Sequence, residues 1–129
     1  MQLDRVSVFS PYMLSILRIM SGLIFLAHGT QKILNFPPAQ RAVDLTSLGG
    51  IAGFIELIGG ALIAIGLLTR PAAFLCSGTM AVAYFYAHAP RSFYPILNNG
   101  DAAILYCFVF LYIFFAGPGP WSVDAMRRR

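Results

Sequence analysis

Four apolar runs limit what this chain can become: residues 11–34, 49–68, 71–89 and 98–116 take up most of its 129 residues. Each is close to the roughly 20 residues that a helix needs to cross the hydrocarbon core of a bilayer. Pro11 and Pro71 open the first and third runs, where the missing amide hydrogen of proline costs a helix nothing. Asn35, Pro37 and Pro38 close the first run, and only Thr69-Arg70-Pro71 separates the second from the third. So short a link makes those two spans antiparallel neighbours. Asn98 or Asn99 is expected to cap the fourth helix. Gly117-Pro118-Gly119-Pro120 is expected to stop it, with Trp121 at the membrane–water boundary. The connector Asn35 to Leu48 holds Arg41 and Asp44 and is expected to include a short interfacial helix after the prolines.

Composition agrees. Charged residues are 11% of the chain and hydrophobic ones 58%, against about 25% charged in a soluble domain. The missing charge means a surface that faces lipid. The expectation is a single all-α domain over residues 1–129, an integral membrane four-helix bundle. The first run is longer than a signal-peptide core and lacks a small-residue cleavage site, so it is expected to remain as a span. An even number of spans puts both termini on one side, together with Arg5, Arg70, Arg127, Arg128 and Arg129. Lys32, Arg41 and Arg91 fall on the other. The excess of positive charge places the termini in the cytoplasm. The net charge of +4 therefore reads as a cytoplasmic anchor, not a nucleic-acid surface. Cys76 and Cys107 form no C-x-x-C motif and read as small buried hydrophobes.

Gly49, Gly53, Glu56 and Gly60 recur at helical spacing in the second run, so an acid shares a face with glycines. Glycines let helix backbones approach closely in lipid, and Glu56 should point into the bundle. Ser77, Gly78, Ala81 and Ala83 are expected to pack similarly in the third run. The other ionisable groups within spans are Arg18, His28 and Lys32 in the first, His88 in the third and Asp101 in the fourth. With alternating span directions, His28, Lys32, Glu56, His88, Asn98 and Asp101 all fall in the outer half of the membrane. Such residues are costly in lipid and mark an interior site. An ion pair is expected between Glu56 and Lys32, or between Glu56 and a protonated His28. Arg18 lies deeper, either without a clear partner or reaching along the bundle axis toward Glu56. No two ligands have tight metal spacing and Lys32 would repel a cation, which disfavours a metal. His28 and His88 could ligate a haem, although their place near the outer edge suits it poorly. Tyr84, Phe85, Tyr86, Phe93 and Tyr94 flank His88 as an interfacial aromatic belt or as the wall of a pocket open to the outer leaflet.

The segments G-L-I-F-L-A-H-G-T-Q-K (Gly22 to Lys32), E-L-I-G-G-A-L-I-A-I-G-L-L-T-R (Glu56 to Arg70), G-T-M-A-V-A-Y-F (Gly78 to Phe85), L-N-N-G-D (Leu97 to Asp101) and G-P-G-P-W-S-V-D (Gly117 to Asp124) together resemble the DoxX family. The order is kept over nearly the whole chain. Asp101 stands where members often have Glu, and the connector after Leu34 is shorter than in many. The resemblance implies a four-span protein of the bacterial inner membrane. It also implies a link by name to a subunit of a quinone-coupled sulfur oxidoreductase, and, for some members, assembly with redox-detoxifying enzymes.

The leading expectation is a membrane subunit of an oxidoreductase system whose polar site binds a quinone-like head group. Donors would come from His28, Lys32 and His88, and protons from Glu56 or Asp101. No flavin, iron–sulfur or dithiol motif is present to deliver electrons, so a partner subunit is implied. The alternatives are a non-catalytic scaffold, alone or as a homo-oligomer, and a transporter of protons or a small solute.

Overall fold

The computed structural model describes residues 2–39 and 43–128. Arg41 and Arg129, both used in the charge argument above, lie outside them. A 3-10 helix over Gln2–Phe9 leads into α1, Ser10–Leu34, with Pro11 in its first turn as expected. Asn35 ends α1 in the left-handed conformation, φ 54°. Among the described residues of the connector no helix forms, so the interfacial helix expected there is not seen. Ser47 caps α2, Leu48–Ile65, by accepting from the Gly50 amide at 3.2 Å. Gly66, with φ 73°, caps α2, whose last residue Ile65 falls three residues before the expected Leu68.

Helix α3 runs over Thr69–Ala83 and continues as a π turn, Tyr84–His88, and a 3-10 turn, Ala89–Arg91. The one-turn helix α4, Pro95–Asn98, precedes α5, Asp101–Ala116. The cap of α5 is Gly100, not Asn98 or Asn99: Asn98 closes α4, and Asn99 takes a left-handed turn between the two helices. The Gly-Pro-Gly-Pro run stops α5 as expected, and a last helix, α6, Val123–Arg127, follows the Ser122 cap.

The long helices pack as two pairs, α1 along α2 and α3 along α5, and the pairs meet through α2 and α3. Phe25 of α1 closes the centre against Phe110 and Tyr106 of α5, with ring centroids 4.9 and 5.1 Å away. Ser77 of α3 donates to the Cys107 carbonyl of α5 at 2.7 Å. The α1–α2 contact is a glycine seam. A methyl group at Gly29 would lie 2.3 Å from the Leu57 amide nitrogen, and one at Gly60 would lie 2.8 Å from Leu26 Cα. Of the expected α2 face, Gly53, Glu56 and Gly60 do point inward, whereas Gly49 lies exposed at the helix start. On α3 the buried face is Ala72, Ala73, Cys76, Ser77 and Met80. Gly78 takes no part in packing, because a side chain there would meet nothing within 4 Å.

The distribution of polarity is reversed from that of a water-soluble domain. Arg18, Glu56, Asn98, Ser15 and Thr69 are buried. Outward faces carry Met20 and Ile24 on α1, Ile58 on α2, Phe74 and Val82 on α3, and Leu105, Phe108 and Phe115 on α5, all exposed. An apolar surface of that extent needs a non-aqueous covering. The residue 3–34 segment and Leu48–Ile65 are each long and apolar enough to cross a membrane. At 1.5 Å per residue α2 is about 27 Å long, near the hydrocarbon thickness of about 30 Å. α5 is shorter, because its helix starts only at Asp101, and α3 reaches its full length only through the π turn.

Candidate functional site

The glycine seam fixes the first half of the site. With no side chains between them, α1 and α2 approach until Lys32 and Glu56 face each other. A methyl group at Gly53 would already sit 3.0 Å from Lys32 Cβ. Lys32 Nζ lies 2.9 Å from Glu56 Oε1, the expected ion pair. Glu56 is 3% exposed, and its second oxygen, Oε2, has no hydrogen-bond partner among the described residues. Glu56 lies on the buried face of α2, where Gly29 of α1 packs against the Glu56 and Leu57 backbone. An unpaired carboxylate there would be strongly unfavourable, and Lys32 supplies the counter-charge.

The π turn fixes the second half. It turns His88 so that Nδ1 lies 3.0 Å from the Asn98 carbonyl. A carbonyl only accepts, so Nδ1 carries hydrogen, and Nε2 of the neutral ring is left as an acceptor. Asn98 is fully buried and locks this elbow. Its amide donates to the Ser92 carbonyl at 2.9 Å and to the Tyr84 hydroxyl at 3.2 Å, and its Oδ1 accepts from Gly100 at 2.8 Å. The Tyr84 ring stacks on His88 with centroids 6.4 Å apart.

Between the two halves lies a groove of about 580 Å³ lined by α2, α3 and the π turn. Its walls are apolar, among them Ile51, Ile55, Phe74 and Val82, and Gly78 leaves its floor open. Lys32 and His88 both line it. Of the aromatic stripe, Tyr86 lines the groove, Tyr84 belongs to the Asn98 lock, and Phe85, Phe93 and Tyr94 lie exposed.

The structure thus brings Lys32 and His88 to one groove, with Glu56 paired to Lys32 and Asn98 bonded to His88 behind them, and leaves three candidates elsewhere. His28 is exposed, with its ring edge on Tyr106 at 6.0 Å. Asp101 is exposed, and among the described residues its side chain accepts only from the Ala102 amide of its own helix, at 3.1 Å. Helical rotation explains both: a shared depth does not guarantee a shared direction. Arg18 neither lacks a partner nor reaches toward Glu56. It donates to the carbonyls of Ile63, at 2.9 Å, Pro118 and Trp121.

That use of Arg18 belongs to a clamp at the far end of the molecule which the sequence reading missed. Ser15 accepts from the Trp121 amide at 3.1 Å, and Asp124 accepts from the Leu68 and Thr69 amides at 3.0 and 2.9 Å. Burial raises the Asp124 pKa, but the Thr69 and Leu68 amides and the Arg127 charge outweigh it, and the carboxyl stays below its ordinary value. A carboxylate shifted downward contributes stability that is complete above its unfolded pKa, about 3.9. That stability is lost as pH falls through the folded pKa. The fluorescence of Trp121, the one tryptophan, is therefore expected to hold steady from neutral pH to about pH 4 and to shift below it. Asp124→Asn should abolish that acid transition; a transition unchanged in the variant would assign it to another group.

An all-helical chain with lipid-compatible outer faces and an ion pair at its centre defines a membrane protein. The DoxX family model matches residues 13–89, a stretch that includes Arg18, His28, Lys32, Glu56 and His88, and the chain belongs to the DoxX family. An uncharacterized protein of Haemophilus influenzae is 38% identical, over 95% of this chain and 96% of its own length. An uncharacterized membrane protein of Mycobacterium tuberculosis is 28% identical, over 84% of this chain and 77% of its own length. No solved structure matches the chain.

Proposed function

We propose that this DoxX protein crosses the bacterial inner membrane four times, through α1, α2, α3 and α5, with both termini in the cytoplasm. In this reading it serves as a membrane subunit of an oxidoreductase system and holds a quinone-like head group in the groove between α2 and α3. The observation that carries the reading is the groove itself: apolar walls along two helices, with Lys32 and His88 at its polar lining. Such a shape suits an amphipathic molecule with a long apolar tail and a head bearing oxygen acceptors. A bound quinone would supply two-electron, two-proton redox chemistry, with electrons delivered by a partner subunit. The chain's own residues would bind and protonate. Lys32 keeps donors beyond the one used by Glu56 and can hold a carbonyl oxygen. His88 Nε2 can accept from a hydroxyl, and its orientation is fixed by Asn98. Glu56, with a free buried oxygen beside Lys32, is the group placed to hold a proton.

The transporter alternative is weaker: it needs polar groups through the full thickness, and the buried core is largely apolar, with Phe25, Ile63 and Phe110 among it. The scaffold alternative treats the Lys32–Glu56 pair as internal glue.

A short-tailed benzoquinone titrated into the protein in nanodiscs decides between the readings. Gly78→Leu should fill the groove and weaken binding at least tenfold without lowering thermal stability, since a Cβ at residue 78 would meet nothing within 4 Å. Lys32→Met should weaken binding similarly. Partition equal to that of protein-free nanodiscs, or binding indifferent to both substitutions, would sink the quinone reading. A loss of stability in Glu56→Gln with no binding to lose would favour the scaffold.

A further inference from the structure

The end of the molecule away from the groove carries a second site. A cleft of about 420 Å³ lies where α3 begins and α6 returns beneath it, lined by Thr69, Arg70, Pro118, Asp124, Arg127 and Arg128 among others. Its charge is unbalanced. The guanidinium groups of Arg70, Arg127 and Arg128 are exposed and make no hydrogen bond or ion pair among the described residues. The one carboxylate, Asp124, is committed: both its oxygens accept backbone amides of Leu68 and Thr69. Its charge is also already faced by buried Arg18 as well as by Arg127. The cleft therefore holds more positive charge than its own acid can satisfy.

Position adds a second argument. Tyr12 and Trp121 pack together at 5.3 Å on this end, both partly exposed. Paired amphipathic rings of this kind settle at the level of lipid head groups. Exposed Leu68, which also lines the cleft, offers an apolar edge toward the acyl chains. Gly117 leaves room for the guanidinium of Arg70 at this end of α5: a methyl group there would lie 2.9 Å from Arg70 Nη2.

We propose that this cleft is a binding site for a phosphate-bearing anion, and that its occupant in the membrane is the head group of an anionic phospholipid. Arginine matches phosphate oxygens with a planar fork of donors, and basic clefts beside cytoplasmic helix ends take acidic lipid head groups. The inference goes beyond the quinone reading, since the cleft and the groove share no lining residue.

The test is native mass spectrometry of the whole chain released from mild detergent and titrated with phosphatidylglycerol or with phosphatidylcholine of the same acyl chains. Phosphatidylglycerol adducts should outnumber phosphatidylcholine adducts at least tenfold. Arg70→Gln with Arg128→Gln should remove that preference. Arg5→Gln, which lowers the total charge outside the cleft, should leave it intact. Circular dichroism melting of each variant checks the fold, and Arg127→Gln alone, on an exposed site of α6, gives a second reading should the double variant melt early. Millimolar inorganic phosphate that displaces the lipid, and itself binds to wild type but not to the double variant, would keep the site and assign it to soluble phosphate chemistry. Equal retention of the two lipids, or an equal loss in Arg5→Gln and in the cleft variants, would overturn the proposal.

Discussion

Arg18→Met is expected to be the most damaging single substitution in this protein. Arg18 is fully buried and donates to three backbone carbonyls, of Ile63, Pro118 and Trp121. Those carbonyls belong to the last turn of α2 and to the Gly-Pro-Gly-Pro-Trp run after α5, segments that are tied further by the Asp124 amide donating to the Gly66 carbonyl at 2.8 Å. Each carbonyl left without a donor costs about 1–3 kcal/mol. The substitution should therefore cost about 3–9 kcal/mol, the lower part of that range applying where water reaches the carbonyls nearest the surface. Unfolding in a rising fraction of denaturing detergent, followed by circular dichroism and by Trp121 fluorescence, measures it. Fluorescence should change before helicity, because Trp121 sits on the clamp and the long helices do not depend on it alone. Arg18→Lys keeps the charge but offers a point donor in place of a planar fork, and should recover less than half of the loss. A wild-type unfolding curve for Arg18→Met would show that the clamp contributes nothing.

The second large effect is expected at Gly29. An alanine methyl group there would fall 2.3 Å from the Leu57 amide nitrogen and 2.6 Å from Leu57 Cα. These are backbone atoms of α2, and no side-chain rotation relieves the contact. The helices must part, and overpacking of this kind costs about 1–3 kcal/mol and occasionally more. The consequence reaches the site, because Lys32 and Glu56 meet across the same seam one turn away. Gly29→Ala should lower the melting temperature and weaken head-group binding together. Gly78→Ala is the contrast. Nothing lies within 4 Å of the added methyl group, so replacing glycine within a helix should stabilise α3 by about 0.5–1 kcal/mol. Equal melting temperatures for the two alanine variants would mean that the seam tolerates separation and that the glycines of α1 are not its cause.

Much of the fold was legible in the residues. The helical class, the membrane setting, the stop at Gly117 and the inward face of Glu56 all follow from local rules: hydropathy, helix-breaking residues and 3.6-residue periodicity. Glu56 with Lys32 was legible for the same reason, since an acid on a glycine face must face a partner helix and needs a cation there. Gly78 was misread as packing because small size does not reveal which side of a helix a neighbour occupies. Asn98 was misread as a cap. Its side chain instead locks His88 through Ser92 and Tyr84, an arrangement made by the π turn and by left-handed Asn99.

By itself the sequence determined that this chain would be helical, lipid-facing outside and charged at its centre, because burial of apolar surface and the cost of an unpaired charge act on each residue wherever its partners lie. Only the tertiary structure decided that Lys32 and His88 flank one groove while His28 and Asp101 turn away. Only the tertiary structure, too, joined Arg18 to the carbonyls of Pro118 and Trp121, about a hundred positions along the chain. The physical reason is the same in both cases. Depth and polarity are properties of a residue within its own helix, whereas direction and partnership depend on how the helices are rotated against one another, and close packing along the whole glycine seam sets that rotation.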